Sequence, residues 1–189
     1  MTLEECKVFI DDLRHALTVA GMNLEAWAIL TNNESRALHM RTMNGYVHFF
    51  TTGINAHFVG MLMPFYRLYE TTRGTLSIPR LLRQLRAEGT LPSSVLDELD
   101  THCRDALPIW RKISILRNKA FGHRNATLTV SEVFGQAAVS ENQFRELFAK
   151  TKDLLNLLTV ALTGEYHAFN LGAGDSLKRM LEDLGRLRN

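Results

Sequence analysis

The chain has 189 residues, of which 46% are apolar and 22% charged. A chain of that size buries about 70% of its unfolded surface and folds without disulfide or metal, and the composition excludes a disordered polymer. Twenty-two basic and 20 acidic residues give a formal charge of +2, too small for a global electrostatic argument for nucleic acid, although 16 of the basic residues are arginine, the side chain suited to forking phosphates.

The patterning is helical almost throughout. Thr2 with Glu5 makes a capping box. Leu3, Cys6, Ile10, Leu13, Leu17 and Ala20 then recur by threes and fours, which predicts a first helix ending at Gly21. A short helix follows over Leu24–Leu30. From about Arg36 to Thr72 an apolar, methionine-rich stretch predicts a central helix buried on most sides, kinked at Pro64 and stopped by Gly74. Met40, Met43, Met61 and Met63 read as packing rather than as a cofactor box. Ser77 caps a helix with Pro79 in its first turn and Leu81, Leu82 and Leu85 on its inner face, ending at Gly89. Pro92 opens a long helix, disturbed at Pro108, that reaches about Phe121. Residues 125–139 hold the alternation Thr127-Leu128-Thr129-Val130, which fits a short extended segment near 127–130 or an ordered loop. Ser140 with Gln143 repeats the capping box, and Val139 is placed to staple onto Phe144. Phe144, Leu147, Phe148, Leu154, Leu155, Leu158 and Leu162 share one face of that helix. Asp175 is read as the cap of a last helix bearing Leu177, Met180, Leu181, Leu184 and Leu187. The fold class is therefore all-α, a bundle of five to six helices.

Cys6 and Cys103 lie far apart and form no CxxC pair, which argues against a zinc module and a secreted disulfide scaffold. Glu4 and Glu5 stand where a secretory signal carries Lys or Arg. The longest nearly apolar run, Phe58–Tyr66, is about half a membrane span. The expectation is a soluble, cytoplasmic protein with no membrane partner.

The segment that stands out is Trp110–Asn125, WRKISILRNKAFGHRN. From 111 to 124 it carries Arg111, Lys112, Arg117, Lys119 and Arg124 and no acidic residue, and His123 adds a titratable group. Ile109, Ile113, Leu116 and Ala120 mark its buried stripe, with Arg117 beside it. Six residues separate Arg117 from His123, so a continuous helix would aim them about 120° apart. Gly122 as a left-handed residue past the helix end would turn the chain back and bring His123 within reach of Arg117. A helix C-terminus raises the pKa of histidine, whereas Arg117, Lys119 and Arg124 lower it, so the pair offers an imidazole near neutrality among fixed cations. Cleavage of a phosphodiester through the ribose 2′-hydroxyl needs that inventory. Histidine moves protons and arginine holds the non-bridging oxygens as charge builds, with no metal required. The competing reading is a solvated basic helix face.

Other motifs carry less. Arg41 and His48 repeat the Arg…His spacing inside the apolar helix, with Asn44 and Gly45 between, and are read as a decoy. Gly174-Asp175-Ser176-Leu177 spells a lipase-type motif but opens a helix with no histidine after it. His48 and His57, nine apart on an apolar helix, suit a lining or interface role rather than a metal. His15, His39, His102 and His167 are isolated. No glycine-rich phosphate loop, Walker motif or dinucleotide fingerprint is present, so no cofactor is expected.

In context, RNKAFGHRN resembles the signature of HEPN domains: Arg117, the polar Asn118, then His123 at a helix end. Ala56–Leu85 is similar to the earlier helix pair of the abortive-infection U-type HEPN family, on Tyr69, Glu70, Ser77, Leu81 and Leu82, and the capped helix from Ser140 also fits. The resemblance covers about 56–162 of a single domain spanning 1–189, with 1–35 and 170–189 as accessory helices. It implies a HEPN-type helical bundle, usually a homodimer whose two Arg…His motifs meet in one cleft, and a metal-independent endoribonuclease that leaves a 2′,3′-cyclic phosphate and serves as a toxin or in antiviral defence. On that basis Arg117 binds the scissile phosphate, His123 is the general acid/base and Asn118 orients the site. Lys119, Arg124, Arg111 and Lys112 would follow the RNA backbone. RNA, a second copy of the chain, and an antitoxin or defence-system component are the implied partners; the alternative is a non-catalytic dimeric module binding RNA, nucleotide or protein. Superfamily toxins that pair with a nucleotidyltransferase carry Tyr two residues after the histidine; Asn125 stands there, which argues against that mode of inactivation.

Overall fold

A computed structural model describes residues 2–72, 74–122 and 129–187. Helix α1, Leu3–Thr31, starts where the sequence places it: Thr2 Oγ1 accepts from the Glu5 amide at 3.2 Å, and the Glu5 carboxylate accepts from the Thr2 amide at 2.7 Å. It does not stop at Gly21. The two helices predicted over residues 3–30 are one, and Gly21 has a packing reason. A Cβ there would lie 2.5 Å from Phe148 Cε2 and 2.8 Å from Leu171 Cδ1. Conversely, the single helix expected over 36–72 is two: α2, Asn33–Gly45, and α3, Val47–Leu68. They part at Tyr46 (φ −133°, ψ 41°), just after Asn44 and Gly45, both weak helix formers. The bend lets Met43 and Phe50 join Leu30 and Leu181 in a small satellite core. Helix α3 continues through Pro64.

Helix α4, Ile78–Glu88, is closed by Gly89 in the left-handed region (φ 63°). Ser77 precedes it but makes no side-chain cap; it is buried, and its hydroxyl finds no partner among the described residues. Helix α5, Ser93–Leu116, passes through Pro108, whose exposure lets water serve the carbonyl that proline cannot reach. Arg86 ties α4 to α5 through Asp97 and Asp100, at 2.8 and 2.7 Å. Helix α5 runs on into a π-helical turn, Arg117–Gly122.

The region read as extended or loop holds a helix, α6, Val130–Ala137. Thr129 and Glu132 cap it as a box, a T-x-x-E signal obscured by the Thr-Leu-Thr-Val alternation. Residues 123–128 lie outside the described part, and no strand occurs among the described residues. Helix α7, Glu141–Thr163, begins at the Ser140/Gln143 box, as expected. Helix α8, Ala173–Arg186, is capped differently from the sequence reading: Asp175 sits inside its first turn, and Glu25 of α1 accepts from the Gly174 amide at 2.9 Å. A carboxylate from another helix thus meets the positive end of α8.

The described residues are 84% helical, an all-α bundle with eight α-helices rather than five or six. The long helices α1, α3, α5 and α7 enclose one core, and α1 packs most extensively on α3. Among the described residues no helix is long and apolar enough to cross a membrane.

Candidate functional site

The site grows from the end of α5. Ile109, Ile113 and Leu116 are buried on the expected stripe, which fixes the helix against α3 and α7. A π turn inserts one extra residue into the helical ladder and widens it, a feature frequent at functional positions. It begins at Arg117 and ends at Gly122, so Gly122 closes the turn where the sequence reading set it beyond the helix. Phe121 anchors the turn: its ring lies 5.7 Å from Phe58 and 6.5 Å from Phe134, and Phe58 in turn meets Trp27 and Phe144.

Arg117 lies over Tyr66 of α3, its guanidinium carbon 4.5 Å from the ring centroid. Tyr66 is buried and held at three points. Its ring stacks against Trp110 at 5.9 Å, its carbonyl accepts from the Trp110 indole at 2.9 Å, and its hydroxyl donates to Glu70 at 3.1 Å. Burial first, then the Glu70 charge and hydrogen bond, raise the Tyr66 pKa; the Arg117 cation works against them. Glu70 also accepts from the Thr72 hydroxyl at 2.9 Å. Arg117 Nη1 donates to Asn118 Oδ1 at 2.9 Å, whereas its Nε is buried without a partner among the described residues.

The other predicted positions divide. Asn118 and Arg111 are exposed. Lys119 donates to Gln136 of α6 at 2.9 Å. Lys112 is drawn into structure: it donates to the Ala138 carbonyl at 2.9 Å and to Gln143 at 3.2 Å, tying α5 to the turn between α6 and α7. Ala138 is left-handed there (φ 45°). His123 and Arg124 lie outside the described residues. Of the residues that carried the family resemblance, Tyr69 is fully buried and its hydroxyl pairs with Thr151 at 2.8 Å, Glu70 belongs to the site, and Leu81 and Leu82 are core.

Tyr66 and Trp110 were not singled out from sequence. Trp110 precedes Arg117 by seven residues, two turns along one helix face, and that spacing was the available signal. Tyr66 comes from another helix, and no local pattern announces it. Away from this site, a groove of about 530 Å³ runs between α1, α3 and α8 past His57, Phe49, Phe50, Leu177 and Met180. Among the described residues no three of His, Cys, Asp or Glu come together as a metal cluster. Both cysteines are free and buried, and burial pushes the Cys103 thiol up to about 11.

An all-α bundle whose long fifth helix runs into a turn bearing Arg117, six residues before His123 in the sequence, fits a HEPN-type domain. The model of the HEPN AbiU2 family matches residues 4–182, and the chain belongs to that family. The match takes in the first helix and most of the last, beyond the stretch on which the sequence resemblance rests. No curated protein and no solved structure matches the chain.

Proposed function

We propose that the chain is a metal-independent endoribonuclease, working in the cytoplasm as a toxin or antiviral effector, with a site composed at the interface of two copies. The observation that carries the reading is Arg117, a guanidinium held on Tyr66 at the end of α5 with no carboxylate paired to it among the described residues. A cation held that way is ready for an anionic phosphate. In the reaction the substrate 2′-hydroxyl gives its proton to the His123 imidazole as its oxygen attacks phosphorus. The bond to the 5′ oxygen breaks, an imidazolium protonates that oxygen, and a 2′,3′-cyclic phosphate remains. Arg117 holds the non-bridging oxygens, Asn118 orients Arg117, and Lys119, Arg124 and Arg111 follow the RNA backbone, with Lys112 contributing charge from behind its structural bonds.

Support for a second copy comes from α3. No Asp, Glu, Lys or Arg lies between Arg41 and Arg67. Thr52, Asn55 and Ala56 are nevertheless exposed, and Val59 and Met63 half-buried, on a face that leads toward Tyr66. An uncharged helix face of that length suits a like surface, since a C2 contact pairs each patch with itself. RNA and a second copy are the proposed partners, with an antitoxin or another defence component as regulator.

The bonds that Arg117 already makes favour a second reading, a non-catalytic module binding RNA, nucleotide or protein, in which Arg117 and His123 only finish the helix. One experiment separates the two. Purified protein and its His123→Ala variant are incubated in EDTA with mixed cellular RNA that includes tRNA. The ribonuclease reading expects fragments with cyclic-phosphate ends from the parent alone. Equal cleavage by the variant removes His123 from the chemistry. No cleavage by either, with the variant less stable by about 1 kcal/mol, the usual cost of a lost cap, favours the binding module.

A further inference from the structure

We infer that Tyr66 is the positioning residue of the site: its ring, pinned by Trp110 and Glu70, holds the Arg117 guanidinium in place for phosphate. This rests on the reading of Arg117 as the phosphate-binding group, and it assigns a role to a residue on a different helix from the Arg…His motif.

A free arginine side chain samples many rotamers, and phosphate binding must order it. Here the ordering is done beforehand. One face of the guanidinium is against the Tyr66 ring at 4.5 Å, where the ring's negative face attracts the cation. Nη1 is engaged by Asn118 at 2.9 Å. Nη2 makes no hydrogen bond to any described residue, and neither does the buried Nε, so these are the donors left for an anion. The platform itself cannot swing. The Tyr66 carbonyl is fixed by the Trp110 indole at 2.9 Å, the ring is stacked on Trp110, and the hydroxyl is tethered to Glu70 at 3.1 Å.

Glu70 is the nearby acid, and its position matters as well. Its Oε1 takes both the Tyr66 and Thr72 hydroxyls, and it forms no ion pair with Arg117. The tyrosine therefore steadies the cation with its ring, while Glu70 faces the Tyr66 and Thr72 hydroxyls rather than the guanidinium. The ring does the positioning, so phenylalanine is the conservative replacement and leucine the disabling one.

The test uses the full chain as parent, Tyr66→Phe and Tyr66→Leu, with three readouts: helical circular dichroism, the NMR signal of the Arg117 Nε–H with and without inorganic phosphate, and the rate of RNA cleavage in EDTA. The expected result is that all three fold, that Tyr66→Phe keeps the parent's Arg117 signal and cleaves within about threefold of it, and that Tyr66→Leu shifts or broadens that signal and cleaves about tenfold more slowly. A purely structural tyrosine would leave the Arg117 signal of a folded Tyr66→Leu where the parent has it, because the guanidinium would not depend on the ring. Tyr66→Met, flexible enough to fill the space, replaces Tyr66→Leu should that variant not fold. An unchanged Arg117 signal in the variant lacking the ring overturns the proposal, whatever the rate. A parent that cleaves no RNA sinks the ribonuclease reading, and the phosphate-dependent Arg117 signal still decides whether Tyr66 holds the guanidinium.

Discussion

At the scale of single residues, the two histidines of α3 differ in what surrounds them. His48 is exposed, while His57 is half-buried with Nδ1 2.9 Å from Asn23 Oδ1. Asn23 Nδ2 donates to the Val19 carbonyl at 2.8 Å, so its oxygen is the group facing His57, and the His57 Nδ1 must carry the proton. Glycine at 60 makes room for this pair, since a Cβ there would lie 2.6 Å from Asn23 Oδ1. Burial lowers the His57 pKa below its ordinary 6.5. With the folded value the lower one, the unfolded chain takes up the proton first as the solution is acidified, so stability is whole above about pH 6.5 and falls below it. The urea midpoint is expected to drop between pH 7 and pH 5, and His57→Gln, which cannot be protonated, to flatten that slope. A variant with the parent's slope would place the acid sensitivity at another group. Sequence spacing gave His48 and His57 together a lining or interface role; of the two, the one that borders a groove is His57. Its partner sits 34 positions earlier on another helix, where no spacing rule reaches.

At the scale of elements, local chemistry was legible and tertiary contact was not. The boxes at Thr2 and Ser140 and the glycine stop at Gly89 follow from four or five adjacent residues, and they stand as read. Gly21 looked like the same kind of stop, yet it answers to Phe148 and Leu171, residues more than 120 positions away. Asp175 looked like a cap for α8, a role taken by Glu25 from across the bundle. Two glycines inside helices turn this distinction into opposite predictions. Alanine is favoured over glycine in a helix by about 1 kcal/mol. At Gly135 of α6 an added Cβ meets nothing within 4 Å, so Gly135→Ala is expected to stabilise by about that amount. At Gly21 the same gain meets the Phe148 ring, and overpacking of this kind costs about 1–3 kcal/mol, so Gly21→Ala is expected to be net destabilising. Thermal unfolding of the two variants beside the parent checks both signs at once. If Gly21→Ala proves the more stable, the close approach of α7 to α1 is wrong.

At the scale of the whole molecule, α3 links the core to the proposed chemistry. Its inner face supplies Phe58, Met61, Leu62 and Phe65 to the core, and its last turns supply Tyr66 to the site. The sequence marked this helix as apolar and central, but composition does not distinguish a face covered by the chain itself from one left for another molecule. The structure shows which part of it this chain leaves uncovered: Thr52, Asn55 and Ala56 remain exposed in a stretch without a charged residue. If two copies pair along this face, a charge in its middle must oppose its own copy across the symmetry axis, in a contact where desolvation strengthens the repulsion. Ala56→Lys puts a good helix former at an exposed position, so the monomer should keep its fold and its melting temperature within about 0.5 kcal/mol of stability. Sedimentation is then expected to show the parent as a dimer and Ala56→Lys as a monomer at the same concentration, and the proposed site composed of two copies predicts that RNA cleavage is lost along with the dimer. A monomer that still cleaves would make each site complete in one chain, and a variant that stays dimeric would move the interface to another face of the bundle.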